Sequence, residues 1–118
     1  MTKSTQAEIR VVQEGFDVHF DYPVYFTRRV FEPGNGTLRA ILKRREPKRR
    51  HRLLVCVDEG VKEARADLLK QIDGYFHQFP DEFEIAAPPI VTRGGPAAKT
   101  DWSSVRDLMT AIGNLHLD

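Results

Sequence analysis

The sequence predicts an α/β fold built on parallel β-strands, and three features of the chain support that prediction. Residues 53–57 (Leu-Leu-Val-Cys-Val) are continuously apolar and include β-branched valines, which is typical of a strand buried on both faces of a parallel sheet. Residues 61–79 repeat apolar side chains at helical spacing, and residues 83–86 form a second short strand pattern. A strand, a helix and a strand in this order indicate a βαβ unit with a right-handed crossover.

The length and composition indicate a single domain without covalent staples. A chain of 118 residues suits one compact domain or part of one, and can bury about two-thirds of its unfolded surface. The lone cysteine, Cys56, lies within an apolar run, which predicts a small buried side chain. No apolar run approaches the roughly 20 residues of a membrane-spanning helix, and residues 1–10 lack a signal-peptide core. The sequence therefore argues against membrane-spanning, secreted and disulfide-stapled proteins, and favours a cytoplasmic location.

The N-terminal part of the chain is predicted to contain two strands and one short helix. Within residues 9–20, aromatic residues and valine alternate with polar residues, which is the period of a half-buried strand. Residues 24–26 would begin a second short strand. A turn cluster at residues 33–36 then precedes a short helix over residues 37–43.

Two longer helices are predicted in the second half of the chain. The helix over residues 61–79 has an apolar side and a charged side, and Pro80 ends it. Residues 88–95 contain two prolines and two glycines that predict a loop. Asp101 is placed to cap a last helix. The apolar residues of that helix are Trp102, Val105, Leu108, Met109, Ile112 and Leu115.

A strongly basic run lies at residues 43–52. The chain as a whole has 18 Lys+Arg and 17 Asp+Glu, but this run holds seven of the basic residues and one acid. Such a run suggests a nucleic acid or an acidic protein as a partner. No aromatic residue interleaves with the cations, so a platform for stacking bases is absent. We therefore favour a solvated loop, and keep as the alternative function a stand-alone α/β interaction module that binds through residues 43–52.

A glycine-rich loop is predicted at residues 94–100 (Gly-Gly-Pro-Ala-Ala-Lys-Thr). Its glycines allow the backbone to approach a ligand closely, and Lys99 could reach a phosphate or a ribose. The loop is not a P-loop, because Ala98 and Arg93 occupy the two positions where that motif requires glycine. A surface turn that leads into a helix explains the same residues equally simply.

Asp58 follows the predicted buried strand directly. Ligands of parallel sheets bind at the carboxyl ends of the strands, where a carboxylate can accept hydrogen bonds from ribose hydroxyls. The same carboxylate could instead cap the helix that begins near Val61. Both roles remain open from the sequence.

The sequence shows no complete metal site and no catalytic nucleophile. The four histidines do not lie at the spacing of metal ligands, and there is no Cys-x-x-Cys pair. Cys56 has no recognisable base partner, and no nucleophile-elbow motif is present.

Three segments together resemble the N-terminal part of the 3-dehydroquinate synthase family of sugar phosphate cyclases. They are residues 20–24 (Phe-Asp-Tyr-Pro-Val), residues 55–61 (Val-Cys-Val-Asp-Glu-Gly-Val) and residues 94–100. In this order they cover nearly the whole chain. The first two segments are more similar to the valiolone-synthase-like branch than to the shikimate enzyme.

The resemblance implies a Rossmann-like, NAD-binding N-terminal domain that is truncated. The 118 residues would form a single incomplete domain, with Asp58 and Gly60 on the adenosine side of NAD. At the position of the family's glutamate stands Pro96, which has neither a carboxylate nor an N–H to bond the ribose. The residues that the resemblance assigns to the cofactor are Asp58, Gly60, Gly94, Gly95, Pro96 and Lys99.

The resemblance also implies the activity of a complete enzyme. Family members are NAD- and metal-dependent carbon–oxygen lyases that eliminate phosphate from a sugar phosphate and close a carbocycle. Their divalent metal, zinc or cobalt, is held by a C-terminal domain that has no counterpart in these 118 residues. We therefore expect the chain to be inactive alone, with a second copy or a complementing C-terminal half as its partner.

Overall fold

The computed structural model describes residues 7–95 and 99–117. The helices in these ranges include α1 (Thr37–Leu42), α2 (Glu59–Ala64), α3 (Leu68–His77) and α4 (Trp102–Asn114). The strands include β1 (His51–Leu53), β2 (Cys56–Asp58), β3 (Phe83–Ile85) and β4 (Ile90–Thr92). Within the described ranges, no helix combines the length and apolar composition needed to cross a membrane.

The strands form two parallel pairs. β1 pairs with β3 in the register His51 to Phe83, and β2 pairs with β4 in the register Cys56 to Ile90. Because α2 and α3 lie between the paired strands in the chain, the prediction of a strand–helix–strand unit with parallel strands is confirmed. The Rossmann-like fold remains a prediction.

The pairing is divided into two strand pairs because it is interrupted once, at the same place in both halves: between β1 and β2, and opposite this, between β3 and β4. Two residues, 54 and 55, separate β1 from β2, whereas four residues, 86–89, separate β3 from β4. The longer stretch ends in two prolines, which lack the N–H that a sheet requires. Pairing resumes where the N–H of Ile90 donates to the carbonyl oxygen of Val55 at 2.9 Å. The continuous strand predicted over residues 53–57 is therefore divided, and β4 lies where the sequence predicted a loop.

Burial of this strand on both faces is also a wrong prediction. Val57 is buried, whereas its neighbour Cys56 is exposed. Leu68 and Ile72 of α3 belong to the same buried cluster as Val57. On the other face, a cleft of about 350 Å³ is lined by Cys56 and by residues of α4 such as Leu108. Cys56 is exposed because this side of the strand is not closely covered by the described residues.

The single helix predicted over residues 61–79 is two helices. Arg65 leaves the helical conformation with φ −132° and ψ 84°, and α3 begins three residues later. This change of direction allows Leu68 to be buried while Val61, on α2, remains 49% exposed. The helical pattern identified the buried side of α3 correctly, but a short non-helical connection divides the segment.

Aromatic side chains dominate the core. Phe76 of α3 and Phe83 of β3 meet edge-to-face, with ring centroids 5.4 Å apart. The neighbouring Tyr75 is 1% exposed, and its hydroxyl donates to the carbonyl oxygen of Asn35 at 2.8 Å. The same hydroxyl accepts the backbone N–H of Arg39 at 3.1 Å. Tyr75 therefore joins α1 to α3 through both packing and hydrogen bonds.

The C-terminal end of α1 and the N-terminal end of α4 lie within one residue of the positions that the sequence predicts. α1 ends at Leu42, one residue before the predicted end. α4 begins after Asp101, whose Oδ1 accepts the backbone N–H of Ser103 at 2.9 Å. The hydroxyl and backbone N–H of Ser103, together with the weaker fields of Arg93 and Arg106, hold the pKa of Asp101 below its usual value. The predicted helix cap at Asp101 is confirmed.

Residues 7–26 form no strand, which corrects the prediction of two strands at residues 9–20 and 24–26. Every residue of this segment is exposed. The radius of gyration is 23.7 Å, well above the roughly 13–14 Å of a compact chain of this length. A strand needs a neighbour that satisfies its backbone hydrogen bonds, and none of the described strands pairs with this segment.

Candidate functional site

The carboxyl ends of β2 and β4 bring two of the predicted site residues together. Asp58 is the last residue of β2 and stands opposite Thr92 at the end of β4. Gly94 lies two residues after Thr92 in the chain. A Cβ atom placed on Gly94 would lie 2.8 Å from Oδ1 of Asp58 and closer still to Oδ2. Only glycine fits here while Asp58 keeps this position, so the backbone of Gly94 packs directly against a carboxylate.

The carboxylate of Asp58 caps α2. Its Oδ1 accepts the backbone N–H of Gly60 at 2.8 Å and that of Val61 at 3.2 Å. Of the two roles left open by the sequence, the helix cap is therefore realised. The second oxygen, Oδ2, accepts no hydrogen bond from any residue that the structure describes, and Asp58 is exposed. One carboxylate oxygen thus remains available to a hydroxyl donor.

Gly60 lies close to the same carboxylate. A Cβ on this residue would be 3.1 Å from Oδ1 of Asp58, which is tight but short of a severe overlap. Gly60 therefore contributes a backbone donor and leaves room around the carboxylate. The role of Gly60 at the adenosine side of NAD, which the family resemblance implies, remains a prediction.

The other predicted cofactor residues are less closely connected to Asp58. Gly95 has φ +72°, a left-handed conformation that glycine adopts without strain. Lys99 is exposed and forms no ion pair with the carboxylates of the described residues. Pro96 lies outside the described residues, so the effect of its replacing glutamate remains a prediction.

An apolar groove that the sequence analysis did not anticipate runs beside the strands. It has a volume of about 440 Å³, and all six residues from 53 to 58 line it. Leu38 and Leu42 of α1 and Ile72 of α3 are among its other lining residues. Asp58 is its only charged lining residue within the described parts of the chain. No local pattern could have identified this groove, because its walls come from separate parts of the sequence.

The basic run is not simply a solvated loop. Its last two residues belong to β1, and Lys43 forms an ion pair with Glu82. Arg50 and Arg52 both approach Glu84, with N–O distances of 3.9 and 3.0 Å. These carboxylates neutralise part of the positive charge, which weakens the case for a nucleic-acid partner. Arg44, Arg45 and Lys48 form no ion pair with the described residues.

Glu82 is the most strongly perturbed carboxylate among the described residues. Both of its oxygens are engaged by Arg39, with Nε and Nη2 each donating at 2.6 Å. Lys43 donates a further hydrogen bond to Oε1. These hydrogen bonds, that of Arg39 first, lower the pKa of Glu82 to about 2. The group joins α1 to the turn before β3, so its role is structural.

The described residues contain no cluster of three or more His, Cys, Asp or Glu side chains placed to hold a metal ion. Comparisons of the chain with protein-family models, with curated proteins and with solved structures find no match. The relationship to the 3-dehydroquinate synthase family therefore remains a prediction based on three sequence segments.

Replacing Gly94 with alanine is expected to displace the carboxylate of Asp58 from α2. The added Cβ would overlap both oxygens, and loss of the cap costs about 1 kcal/mol of folding free energy. Urea unfolding followed by circular dichroism measures the change. As a control, Gly74→Ala places a methyl group in open space on α3, and should raise stability by about 0.5–1 kcal/mol. A Gly94→Ala variant as stable as the native chain would contradict the expected displacement.

Proposed function

We propose that this chain supplies the adenosine-binding part of an NAD site, as the N-terminal portion of a 3-dehydroquinate synthase-like cyclase. The observation that carries the proposal is the contact between Asp58 and Gly94 at the carboxyl ends of β2 and β4. This is the edge of a parallel sheet where nucleotides bind. A carboxylate with one unengaged oxygen beside a bare glycine backbone suits a ribose, whose hydroxyls donate hydrogen bonds.

In this proposal the two oxygens of Asp58 have separate tasks. Oδ1 continues to cap α2, as its bonds to Gly60 and Val61 indicate. Oδ2 accepts a hydrogen bond from a ribose hydroxyl of the adenosine. Gly94 and Gly95 keep the facing loop free of side chains, and Lys99 lies on the chain beyond them, where its ammonium group can approach a phosphate.

The catalytic role belongs to a complete enzyme in this proposal. That enzyme is an NAD- and metal-dependent carbon–oxygen lyase acting on a sugar phosphate. The nicotinamide accepts and returns a hydride when NAD is bound. The residues of this chain would hold and orient the adenosine end of the cofactor, and they are not assigned to the metal or to the reacting sugar.

Nuclear magnetic resonance titration of the ¹⁵N-labelled chain tests the proposal. Addition of NAD, and separately of adenosine monophosphate, is expected to shift the amide signals of Asp58, Gly60 and Gly94. Nicotinamide mononucleotide should leave them unchanged. We expect weak affinity, on the order of a millimolar dissociation constant or about −4 kcal/mol, because Pro96 offers no hydrogen bond. Absence of any shift with both adenosine ligands would overturn the proposal.

The Asp58→Asn variant separates binding from helix capping. Asparagine caps a helix about as well as aspartate, so stability and the spectrum of α2 should be preserved. The amide has one acceptor oxygen, which α2 already uses, so the response to adenosine monophosphate should be lost. Asp58→Ala should lose both the cap and the response. If Asp58→Asn responds like the native chain, the carboxylate is a helix cap and nothing more.

A further inference from the structure

The apolar groove beside β1 and β2 follows the edge of these strands. Successive side chains of a strand point to opposite faces, so a groove lined by every residue from 53 to 58 runs along the strand edge. None of its described lining residues belongs to β3 or β4. The groove therefore lies on the edge that faces away from the paired strands, and we call it the edge groove.

The strand edge in this groove has unused hydrogen-bonding groups. Among the described strands, β1 pairs only with β3, and β2 pairs only with β4. The second edge of β1 and β2 presents backbone N–H and C=O groups without a strand partner, which is a template for an added strand. A ligand with a peptide backbone satisfies these groups, whereas a hydrocarbon leaves them unpaired.

The walls of the edge groove are aliphatic. Leu38 and Leu42 of α1 and Ile72 of α3 line it beside the strands. Its volume of about 440 Å³ lies within the range of ligand-binding pockets. A strand added at the edge would turn every second side chain toward these walls. The groove therefore favours an extended peptide that has apolar residues at alternate positions.

The carboxylate of Asp58 lies at one end of the edge groove. Asp58 is the last residue of β2 and the only charged residue that lines the groove within the described parts of the chain. Its Oδ1 caps α2, whereas its Oδ2 accepts no hydrogen bond from the described residues. An ammonium group is a strong donor to such an oxygen, and a peptide carries one at its N-terminus.

We propose that the edge groove binds the free N-terminus of an extended peptide from another protein. The terminal ammonium donates to Oδ2 of Asp58, and the peptide runs from there toward Leu53, antiparallel to β2 and β1. Its backbone pairs with the free strand edge, and every second side chain packs against Leu38, Leu42 and Ile72. Residues 53–58 extend over about 17 Å at about 3.3 Å per residue, so a peptide of about six residues spans the groove.

The chain's own exposed segment, residues 7–26, fits this groove less well than a foreign N-terminus. Six residues precede the segment in the chain, so it brings no terminal ammonium to Asp58. It also carries four carboxylates and one arginine, and like charges brought together at an interface oppose association. The partner is therefore a different protein, whose N-terminal residues alternate between apolar and uncharged polar side chains.

This inference goes beyond the proposed function and does not rest on it. The peptide and the adenosine would each take Oδ2 of Asp58, so the binding of one excludes the other. From that oxygen they extend in different directions, the adenosine toward Gly60 and Gly94, and the peptide along residues 53–57. The amide signals of these two regions therefore distinguish failure of one proposal from failure of the other.

Nuclear magnetic resonance titration of the ¹⁵N-labelled chain with the hexapeptide Val-Ser-Val-Ser-Val-Ser, amidated at its C-terminus, tests the proposal. Saturable shifts are expected for residues 53–57 and for Ile72. The N-acetylated peptide should bind about tenfold more weakly, because it lacks the charged donor. Equal affinities of the free and acetylated peptides, or no saturable binding up to about 1 mM, would overturn the proposal.

A second peptide tests the alternation of side chains. Ser-Val-Ser-Val-Ser-Val has the same composition, but its valines would face away from Leu38, Leu42 and Ile72 when its ammonium meets Asp58. We therefore expect its affinity to be several-fold lower. Equal affinities of the two sequences would overturn the placement of the peptide as a strand in this groove.

Two variants and a chemical probe identify the surfaces involved. Asp58→Asn keeps the cap of α2, and should weaken binding of the free peptide about tenfold while leaving that of the acetylated peptide unchanged. Glu63→Gln removes another exposed carboxylate, on α2, and should change neither affinity. Cys56 lines the groove and is exposed, so the free peptide should slow its alkylation several-fold.

The results that contradict the proposal are equally specific. An Asp58→Asn variant that binds the free peptide as tightly as the native chain would exclude the ammonium contact. Alkylation of Cys56 at the same rate with and without the peptide would exclude the groove as its binding site. Protection of Cys56 before any peptide is added would show that residues 7–26 or a second copy of the chain already covers the groove, which would also overturn the proposal.

Discussion

Replacing Tyr75 with alanine is expected to lower the free energy of unfolding by about 3–5 kcal/mol, the range for removing a large aromatic side chain from a core. Tyr75 is 1% exposed and meets the rings of Phe31, Phe76 and Phe79 at centroid distances of 5.3–6.1 Å. The loss is large beside the 5–15 kcal/mol that typically stabilises a whole domain. Urea unfolding followed by circular dichroism measures it, since Trp102 is largely exposed and reports poorly on the core.

The Tyr75→Phe variant separates the hydroxyl from the ring. It keeps the aromatic packing but leaves the carbonyl oxygen of Asn35 and the N–H of Arg39 without the hydroxyl. Leaving such groups unpaired costs about 1–3 kcal/mol, so we expect a smaller loss than with alanine. Equal losses for the two variants would mean that the hydrogen bonds, and not the ring contacts, hold α1 against α3.

The helices were the most predictable elements because their signals are local. Asp101 could be identified as a cap from the residues that follow it, and its bond to Ser103 confirms this. Spacing alone identified the buried side of α3, including Ile72. The break at Arg65 was not predicted, because it depends on how α3 packs against the strands rather than on the residues around it.

The strands were less predictable because a strand depends on its neighbour. Residues 16–20 have the alternation of a strand, yet the structure gives them no partner. The run over residues 53–57 pairs as expected but is interrupted opposite Pro88 and Pro89, and one face remains open at Cys56. Hydrophobic pattern indicates which residues can form a strand, and does not reveal what will cover it.

The candidate site could be predicted in part for a topological reason. Parallel strands place their carboxyl ends at the same edge, and Asp58 was predicted to lie at that edge. The structure places Gly94 in contact with it. The pairing of the basic run could not be predicted in this way. Glu82 and Glu84 lie more than 30 residues from Lys43 and Arg52 in sequence, and only the folded chain brings them together.

Acidification from pH 4.5 to about 2 is expected to destabilise the chain through Glu82. In the folded protein its pKa is about 2, compared with 4.5 for an unperturbed glutamate, because Arg39 and Lys43 donate hydrogen bonds to the carboxylate. A pKa lowered by folding contributes stability that is fully present above the unfolded value and is lost as pH falls through the folded value. Stability should therefore decline across this interval, as measured by urea unfolding at a series of pH values.

The Glu82→Gln variant tests whether this group is responsible. Glutamine keeps the size of the side chain but has no titrating carboxyl, so the variant should be less stable than the native chain at pH 7, and the two stabilities should converge near pH 2. Glu63→Gln removes an exposed carboxylate that forms no ion pair with the described residues, and should leave the pH dependence unchanged. The turn before β3 would lose its bonds to Arg39 and Lys43 on protonation of Glu82, so α1 should separate from that turn first. Parallel stability curves for Glu82→Gln and the native chain between pH 4.5 and 2 would show that the carboxylate is not perturbed by its cations.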